Sequence, residues 1–346
     1  MPKPTTYKFC FGPWNLSEGQ DPYGPPTRPV QSFDWKLEQL KALGYDAMMF
    51  HDDDAVPDVD NKSDAALKAE AKALKRKLDD AGIVAEIVAP RLWFEPRTVD
   101  GAYTSNDPKC RRYAIERSLR CLDIAAYLDC DLIVLWLARE GSYIRESKNA
   151  RRCFDYLVQA VDKMLAHHPK MRIAIEPKPN EPMDLAYVPT IGHALALAQL
   201  TADPKRVGCL IETAHALLAG LDPADEIDFA CAFGKLWSLH LNDQNGLKFD
   251  QDKPFGSANL RIAFNQVRAL ERNGYGRKGE YVAFDVHPFR TTKVEHWTAH
   301  LENSRRTFLR LVEKARSFPE AEAQSLIDDR NYAALDQLVL EHLMGK

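Results

Sequence analysis

Short apolar segments alternate with longer amphipathic segments along most of this chain. Eight of the short segments are six or seven residues long, and most of them are continuously apolar. Continuous apolar runs of this length are typical of parallel strands that are covered on both faces. The eight predicted strands are residues 7–12, 46–51, 84–90, 131–137, 172–177, 207–212, 236–241 and 281–286.

Segments with helical spacing separate the predicted strands. Leu37, Leu40 and Leu43 recur on one helical face, and Asp107 followed by Pro108 predicts the start of a helix that runs to about residue 128. Eight strands, each followed by a helix, favour a closed (β/α)8 barrel, the TIM barrel, over an open doubly wound sheet. No glycine-rich nucleotide-binding motif follows any strand, which argues further against the open sheet.

The barrel is expected to occupy residues 1–316, and residues 317–346 are expected to form a C-terminal helical extension. The extension carries apolar residues at helical spacing, namely Leu326, Ile327, Leu335, Leu338, Val339, Leu340, Leu343 and Met344. This apolar surface is too large to remain in water, so we expect the extension to pack on its own barrel or on a partner subunit.

The composition limits the classes of function. The formal net charge of -4 gives no electrostatic reason to expect nucleic acid or an anionic membrane as a partner. No apolar run approaches the roughly 18 residues of a membrane span, and the first residues lack the apolar core of a signal peptide. Seven cysteines are scattered without a Cys-x-x-Cys pair, which is typical of reduced thiols. We therefore expect a cytoplasmic protein.

Acidic and histidine residues stand at the ends of four successive predicted strands. They are Glu176 on the fifth, Glu212 with His215 at the sixth, His240, Asp250 and Asp252 on or after the seventh, and Asp285 on the eighth. A barrel brings the carboxyl ends of its strands to one face, where converging carboxylates repel unless a cation lies among them. The set is larger than one hard divalent ion needs, so it suggests two ions that share Glu212.

Each of these motifs is weak when it is considered alone. The spacing of Glu212 and His215 also occurs on the helices of di-iron bundles, although here it follows a strand-like run. Asp250-Gln251-Asp252 alone is more often a solvated turn. The joint placement on successive strand ends favours a metal site.

A second group of candidate residues follows the second and fifth strands. His51 precedes three aspartates, and a histidine whose other ring nitrogen contacts a carboxylate such as Asp54 can move a proton in one fixed tautomer. Lys178 lies two residues after Glu176 and so projects to the same side of its strand. The simpler alternatives are a solvated acidic turn and a surface lysine. Trp14, Trp93 and Trp136 lie near strand ends and could form an apolar cavity wall or part of the core.

These motifs resemble those of the xylose isomerases, (β/α)8 metal enzymes that are also used as glucose isomerases. The resemblance covers about residues 9–290. It rests on Phe11-Gly12-Pro13-Trp14, Asp21-Pro22-Tyr23-Gly24, Phe50-His51-Asp52-Asp53-Asp54, Arg139-Glu140-Gly141, Ile175-Glu176-Pro177-Lys178-Pro179-Asn180-Glu181-Pro182, Glu212-Thr213-Ala214-His215 and Lys248-Phe249-Asp250-Gln251-Asp252.

The resemblance implies two divalent ions per subunit, Mg²⁺, Mn²⁺ or Co²⁺. Glu176, Glu212 and Asp285 would hold a structural ion, while Glu212, His215, Asp250 and Asp252 would hold a catalytic ion. His51, oriented by Asp54, would assist the opening of the sugar ring, and Lys178 would bind the oxygen on carbon 1. Trp14, Trp93, Trp136 and Asn242 would contact the sugar, and Tyr23 would reach into the site of a neighbouring subunit.

Two residues near the expected site depart from the family pattern. His240 stands where the family has an aspartate ligand of the structural ion, and His287 replaces a lysine just after Asp285. An imidazole can still bind a cation, but the loss of one negative charge favours Mn²⁺ or Co²⁺ over Mg²⁺. Whether His240 coordinates an ion therefore becomes a question for the structure.

The expected activity is that of an aldose–ketose isomerase. It would convert D-xylose to D-xylulose, and also D-glucose to D-fructose, by ring opening and a metal-assisted hydride shift. Its partners would be the sugar and further copies of this chain in a homodimer or homotetramer. One alternative is another sugar isomerase or epimerase with the same barrel. In other classes, a metal-dependent endonuclease is disfavoured by the net charge, and a non-catalytic binding protein by the presence of both His51 and Lys178.

Overall fold

The computed structural model describes residues 5–21, 23–247 and 249–345. Its centre is a closed barrel of eight parallel strands, in which each strand pairs with the strands before and after it and the last pairs with the first. The strands are β1 (Lys8–Phe11), β2 (Ala47–His51), β3 (Val84–Ala89), β4 (Leu132–Trp136), β5 (Arg172–Glu176), β6 (Val207–Glu212), β7 (Leu236–Leu241) and β8 (Tyr281–Phe284). The predicted (β/α)8 barrel is confirmed, and each strand lies within two residues of its predicted bounds.

Helices connect and surround the strands. The barrel helices are α1 (Phe33–Ala42), α2 (Asp64–Ala81), α3 (Pro108–Tyr127), α4 (Ala150–His167), α5 (Ile191–Gln199), α6 (Pro223–Ala232), α7 (Leu260–Asn273) and α8 (Ala299–Arg316). Shorter helices over Asp52–Ala55 and Thr213–Leu218 follow β2 and β6 directly. As predicted, Asp107 caps α3, because its side chain accepts a hydrogen bond from the Lys109 backbone N–H. None of the helices described is long and apolar enough to cross a membrane.

Two layers of apolar side chains hold the barrel together. The larger layer fills the space between strands and helices and includes the buried Trp297 and Phe308. The smaller layer fills the barrel interior with mostly small residues, namely Cys10, Ala47, Met49, Ile87, Ala89, Leu132, Val134, Ala174, Leu210 and Ala283. Polar residues gather where the strands end, and this change of character creates the site described below.

The C-terminal extension lies on the barrel of its own chain. Helices α9 (Glu320–Asp328) and α10 (Tyr332–Met344) follow α8. Lys314 of α8 donates a hydrogen bond to the His342 carbonyl oxygen at 2.6 Å, and the His342 ring contacts the ring of Phe264 on α7. Val339 is buried, whereas Met344 remains 65% exposed. One side of the extension therefore covers the barrel while its outer side faces solvent.

Candidate metal centre and substrate cavity

Five carboxylates from four strand ends converge on one point of the barrel mouth. We name Glu176, Glu212, Asp250, Asp252 and Asp285 the carboxylate cluster. Glu176 and Glu212 are the last residues of β5 and β6, and Asp285 directly follows β8. The loop after β7 is fixed at its end, because the His287 backbone N–H donates to the Asp252 carbonyl oxygen at 2.8 Å.

Three histidines complete this centre. His215 Nε2 lies 3.1 Å from a Glu212 oxygen and 3.0 Å from an Asp250 oxygen. His240 Nδ1 lies 3.6 Å from Asp285 Oδ2. The third is His287, whose Nδ1 lies 2.9 Å from Asp252 Oδ2. His287 is not among the ligands predicted from the sequence.

Possible ligand atoms form four groups in which all members lie within 4.8 Å of one another. The groups are Glu176 with Glu212 and His215, Glu212 with His240 and Asp285, Glu212 with Asp250 and Asp252, and Asp252 with Asp285 and His287. Glu212 belongs to three of the four, which is the arrangement that a carboxylate shared by two ions requires. Glu176 groups with His215, whereas the resemblance pairs it with Asp285.

The electrostatics of the cluster show an excess of negative charge. Burial raises the pKa of Glu212 well above its ordinary value, and repulsion from Asp250, Asp252 and Asp285 raises it further. Burial and the neighbouring Asp250 also raise the pKa of Asp252, to about 6, although His287 opposes the shift. In protein without a bound cation, Glu212 and Asp252 would therefore be harder to ionise than ordinary carboxylates.

Other members of the centre are stabilised in their charged forms. Burial raises the pKa of Asp250, but Lys178 and His215 outweigh it and hold that pKa below its ordinary value. Burial likewise opposes the lowering of the Asp285 pKa to about 2, which His240 and His287 cause. The pKa of His287 rises to about 9 because the attraction of Asp252 exceeds the effect of burial.

The residues present fit a divalent cation. Within the described residues, four buried polar atoms of the centre have no hydrogen-bond partner, namely His215 Nδ1, both ring nitrogens of His240 and Asp250 Oδ1. Buried polar atoms are nearly always paired, so a group of unpaired ones in one place indicates a ligand. Carboxylate oxygens combined with imidazole nitrogens suit Mn²⁺, Co²⁺ or Zn²⁺, and His240 is placed among them rather than apart from them.

His51 lies across the mouth from this centre, at the end of β2. Its Nδ1 lies 2.8 Å from Asp54 Oδ2, the partner suggested by the sequence. An additional residue, Arg91, contributes an Nη2 that lies 2.9 Å from both Asp54 oxygens and 2.5 Å from His51 Nδ1. Arg91 therefore binds Asp54, and Asp54 in turn orients the His51 ring.

The aspartates that follow His51 form an acidic turn, defined as Asp52, Asp53 and Asp54. Asp52 is fully buried, and Arg117 of α3 binds it with Nε at 2.7 Å and Nη2 at 2.9 Å. Asp52 also accepts the Arg91 backbone N–H at 3.0 Å. This buried ion pair connects α3, the end of β2 and the start of the loop after β3.

Aromatic rings form the wall of a cavity of about 680 Å³ that opens above the carboxylate cluster. Trp93 packs edge-on against Trp136 with ring centroids 4.4 Å apart, and the Trp14 and His51 rings lie 4.3 Å apart. Lys178 lies 5.1 Å from the Trp136 ring centroid, and its Nζ is 2.8 Å from Asp250 Oδ2. His51, Lys178 and the three tryptophans thus line the cavity that contains the possible metal ligands.

Trp14 also holds Asp285 in place. Its indole N–H donates to Asp285 Oδ1 at 2.8 Å, and the side-chain amide of Asn15 donates to the same oxygen at 3.0 Å. The Trp14 ring lies against Gly12, where an added Cβ would be 2.3 Å from the ring. Gly12 therefore permits the Trp14 orientation on which the Asp285 hydrogen bond depends.

Two residues that the resemblance placed at a sugar are not among the residues that line this cavity. Asn242 is buried behind the carboxylates, where its side-chain N–H groups bind Glu212 Oε1 at 2.8 Å and Asp252 Oδ1 at 3.1 Å. This arrangement orients the possible ligands and does not put Asn242 on the cavity wall. Tyr23 is 77% exposed and contacts the Phe249 ring at the outer rim. Its predicted contact with a neighbouring subunit stays a prediction.

Three residues of the centre were not assigned by sequence reasoning. His287 could have been found because it follows Asp285 by two positions and so points to the same side of the strand end. Asn15 follows Trp14 in a short 3₁₀ helix (Pro13–Leu16), where the sequence contains no distinguishing signal. Arg91 could be recognised only after β2 and β3 were known to be adjacent.

Two comparisons of the sequence identify relatives of this chain. Residues 37–281 match the family model described as xylose isomerase-like TIM barrel. A protein named xylose isomerase from Thermus thermophilus is 35% identical over 326 residues, which cover 92% of this chain and 82% of that protein.

Solved structures with much lower identity share the fold. A crystal structure of D-psicose 3-epimerase with D-fructose is 14% identical, with a TM-score of 0.65, and covers 88% of this chain and 99% of its own. A crystal structure described as the IOLI protein with a bound zinc atom is 16% identical, with a TM-score of 0.62. The match covers 90% of this chain and 99% of that one. From the family model and the Thermus relative together, the chain belongs to the xylose isomerase-like TIM barrel family.

Proposed function

We propose that this protein is a metal-dependent aldose–ketose isomerase that converts D-xylose to D-xylulose and acts on D-glucose as a second substrate. The proposal joins the named activity of the 35% identical relative to the residues of this chain. The one observation that carries it is the position of His51 and Lys178 on the wall of the same cavity as the carboxylate cluster. This reaction needs three parts, which are a proton-transfer group such as the His51 imidazole, a positively charged side chain such as that of Lys178, and a metal centre.

Glu212 would bridge two divalent cations in this enzyme. Glu176 and His215 would complete one part of the centre together with Asp250 and Asp252, and His240 with Asp285 would complete the other. When bound, the cations would supply Lewis acidity towards two neighbouring oxygens of the open-chain sugar. Asn242 would keep Glu212 and Asp252 in position through its two N–H groups.

The remaining residues would bind and orient the sugar. The imidazole of His51 would move a proton at the ring oxygen while the ring opens, with Asp54 and Arg91 holding its orientation. Lys178 would donate a hydrogen bond to the oxygen on carbon 1. Attraction to Asp250 keeps the pKa of Lys178 above its ordinary value despite burial, so this donor is charged at every physiological pH. The tryptophan wall would exclude water while hydride moves between carbon 2 and carbon 1.

The metal preference follows from the donor atoms. His215, His240 and His287 provide three imidazoles beside five carboxylates. Nitrogen donors favour Mn²⁺, Co²⁺ and Zn²⁺ relative to Mg²⁺, which prefers an octahedral oxygen shell. We expect Mn²⁺ or Co²⁺ to support higher activity than Mg²⁺ at equal concentration.

Purified protein loaded with Mn²⁺ or Co²⁺ tests the activity directly. The expected result is interconversion of D-xylose and D-xylulose, and absence of turnover with every aldose–ketose pair of pentoses and hexoses would overturn the proposal. The same reaction in D₂O separates isomerase chemistry from epimerase chemistry. A hydride shift incorporates little deuterium from solvent, whereas an enediolate route incorporates it freely.

The proposed assembly is a homodimer or homotetramer. Tyr23, Phe249 and Phe94 expose aromatic surface around the mouth of the cavity, which is the kind of surface that subunit contacts cover. Light scattering during gel filtration measures the mass of the particle. A monomer at micromolar concentration would contradict the proposal, and Tyr23→Ser is expected to weaken an assembly that uses this rim.

A further inference from the structure

A row of unpaired polar atoms lies in the barrel interior beneath the carboxylate cluster. Ser238 and His240 are two residues apart on β7 and so face the same side of the strand. Glu86 lies on β3, on the opposite wall of the barrel, where an irregularity in the β2–β3 register places it beside the inward-facing Ile87, opposite Met49. In the described part of the chain, Glu86 Oε2, Ser238 Oγ and both ring nitrogens of His240 are buried without a hydrogen-bond partner.

No lysine, arginine or histidine in the described residues forms an ion pair with the Glu86 carboxylate. The nearby Arg172 is occupied by Asp131 at 2.9 Å and by the Trp237 ring. Glu86 Oε2 is inaccessible and unpaired, and Ser238 and His240 face it from the other wall of the barrel interior. Burial raises the pKa of Glu86 to about 7, while His240, the Ser238 hydroxyl and Arg172 oppose the shift. The rest of the Glu86 side chain lines a cavity at the other mouth of the barrel.

His240 needs a hydrogen-bond acceptor inside the barrel, such as the Glu86 carboxylate. If one ring nitrogen of His240 binds a cation, the other carries a proton and becomes a buried donor. Asp285 lies on the cation side, since it belongs to the same group of possible ligands as His240 and Glu212. Histidines that bind metal ions nearly always donate their second N–H to a carboxylate, a carbonyl oxygen or a water molecule.

We infer that Glu86 is the outer partner of His240, accepting its second ring N–H directly or through Ser238 and one buried water molecule. The contact would fix the tautomer of His240 and place a negative charge one layer below the cation. This chain would thereby regain the charge that it lacks at position 240, where the family pattern has an aspartate. Glu86 acts through His240 and is a positioning residue.

This inference rests on the metal centre of the proposed function, but its test does not depend on turnover. Metal-free protein is titrated with Mn²⁺ by calorimetry, without sugar, for the wild type and for Glu86→Gln. The wild type is expected to bind two ions. Glu86→Gln is expected to bind one of them about 10- to 100-fold more weakly and the other with unchanged affinity, because only one ion contacts His240.

Two further variants separate positioning from a general effect of charge or packing. Glu280→Gln removes one carboxylate at the opposite end of the barrel and is expected to leave both affinities unchanged. Glu86→Asp keeps the charge on a shorter side chain and is expected to recover part of the lost affinity. If Glu86→Gln does not fold, Glu86→Asp replaces it as the test variant, and its Mn²⁺ affinity is compared with that of the wild type.

The sharpest test combines Glu86→Gln with His240→Asp. With an aspartate at position 240, Glu86 has no ring N–H to accept, so adding Glu86→Gln should no longer weaken Mn²⁺ binding. Equal weakening in both backgrounds, or no weakening in either, would overturn the inference. A wild type that binds two Mn²⁺ ions but isomerises no sugar would contradict the proposed function and leave this inference standing.

Discussion

Two acidic clusters lie at the same end of the barrel and differ in how their charge is balanced. The acidic turn is balanced from within the chain. Arg117 binds Asp52, and Arg91 lies 2.9 Å from both Asp53 Oδ1 and Asp54. The carboxylate cluster has five acids, and Lys178 is the only lysine or arginine that forms an ion pair with any of them in the described residues.

This difference shows which cluster requires a ligand. His51 and Arg91 hold the pKa of Asp54 below its ordinary value although burial raises it, so this carboxylate is stabilised as an anion by the protein itself. The pKa of Glu212 is raised instead, because burial and its acidic neighbours destabilise its ionised form. Ionised Asp54 therefore contributes to folding, whereas ionised Glu212 opposes folding until cations bind.

Glu212→Gln should have the largest effect and should change stability and function in opposite directions. Because Glu212 belongs to three of the four ligand groups, its loss should reduce Mn²⁺ binding to one weakly held ion. Isomerase activity should fall by about 10³-fold, the effect of losing several kcal/mol of transition-state stabilisation. The metal-free variant should unfold at higher denaturant concentration than the metal-free wild type, since one repelling carboxylate is gone.

Calorimetric titration, sugar turnover and urea unfolding measure these three quantities. The matched control is Glu280→Gln, which removes a carboxylate outside the cluster and should change none of them. A metal-free Glu212→Gln protein that is less stable than the metal-free wild type would contradict the comparison, because Glu212 would then contribute to the fold as Asp52 does.

Asp52→Asn should show the reverse behaviour. It removes the partner of the buried Arg117 side chain, and breaking a buried ion pair costs about 3–5 kcal/mol of unfolding free energy. Mn²⁺ affinity should stay within about twofold in the folded variant, because Asp52 belongs to none of the ligand groups. Denaturant unfolding measures the loss of stability, and calorimetric titration measures the Mn²⁺ affinity.

The control for Asp52→Asn is Asp64→Asn. Asp64 also pairs with an arginine, Arg120, but its side chain is 96% exposed. An exposed pair of this kind contributes at most about 1 kcal/mol. If both substitutions destabilise the protein equally, burial is not what distinguishes the acidic turn.

The pH dependence of the unfolding free energy should also distinguish the two clusters, with a smaller effect than the substitutions above. The Asp252 pKa is raised from its ordinary value of 3.8 to about 6, so metal-free protein loses stability as pH rises through this window. A shift of this size corresponds to about 3 kcal/mol. The unfolding free energy of metal-free Asp252→Asn, relative to the wild type, should therefore increase by most of that amount between pH 4 and pH 8, because the unfolded-state carboxyl is already partly ionised at pH 4.

Comparing the two proteins at each pH cancels the titration of groups that do not interact with Asp252. Saturating Mn²⁺ should reverse the trend for the wild type, because the ions bind the ionised carboxylates. A difference between wild type and variant that does not change with pH would mean that Asp252 is stabilised as an anion, like Asp54.

The sequence predicted the fold well because the fold depends on local patterns. Eight apolar runs separated by amphipathic segments are sufficient to predict a barrel, and a barrel is sufficient to bring Glu176, Glu212 and Asp285 to one face. The resemblance to the xylose isomerases, rather than the local pattern, placed His51 and Lys178 in one site, and both line the same cavity.

The sequence could not separate residues that contact the sugar from residues that orient the ligands. Asn242 stands one residue beyond β7, and only its hydrogen bonds to Glu212 and Asp252 show which way its side chain turns. Nor could the sequence show that Arg91, 40 positions after His51, shares Asp54 with it. Contacts across neighbouring strands depend on strand register and on side-chain rotamers, and the local sequence pattern determines neither of them.

Arg91→Met should have the smallest effect and should show whether the acidic turn also serves catalysis. The guanidinium lies 2.5 Å from His51 Nδ1 and holds Asp54 against the same imidazole, so its loss should misorient His51 without touching the metal centre. We expect kcat/KM for D-xylose to fall by about 10-fold, the lower part of what a proton-transfer group contributes.

D-Glyceraldehyde is the discriminating substrate for Arg91→Met, because a triose cannot close a stable ring and needs no ring opening. Its isomerisation to dihydroxyacetone should proceed at the wild-type rate, and Mn²⁺ affinity should not change. Arg91→Lys keeps the charge but lacks the planar fork that reaches both Asp54 and His51, so it should recover only part of the activity on D-xylose. Equal losses on both sugars would show that Arg91 supports the whole cavity, and the acidic turn would then be structural throughout.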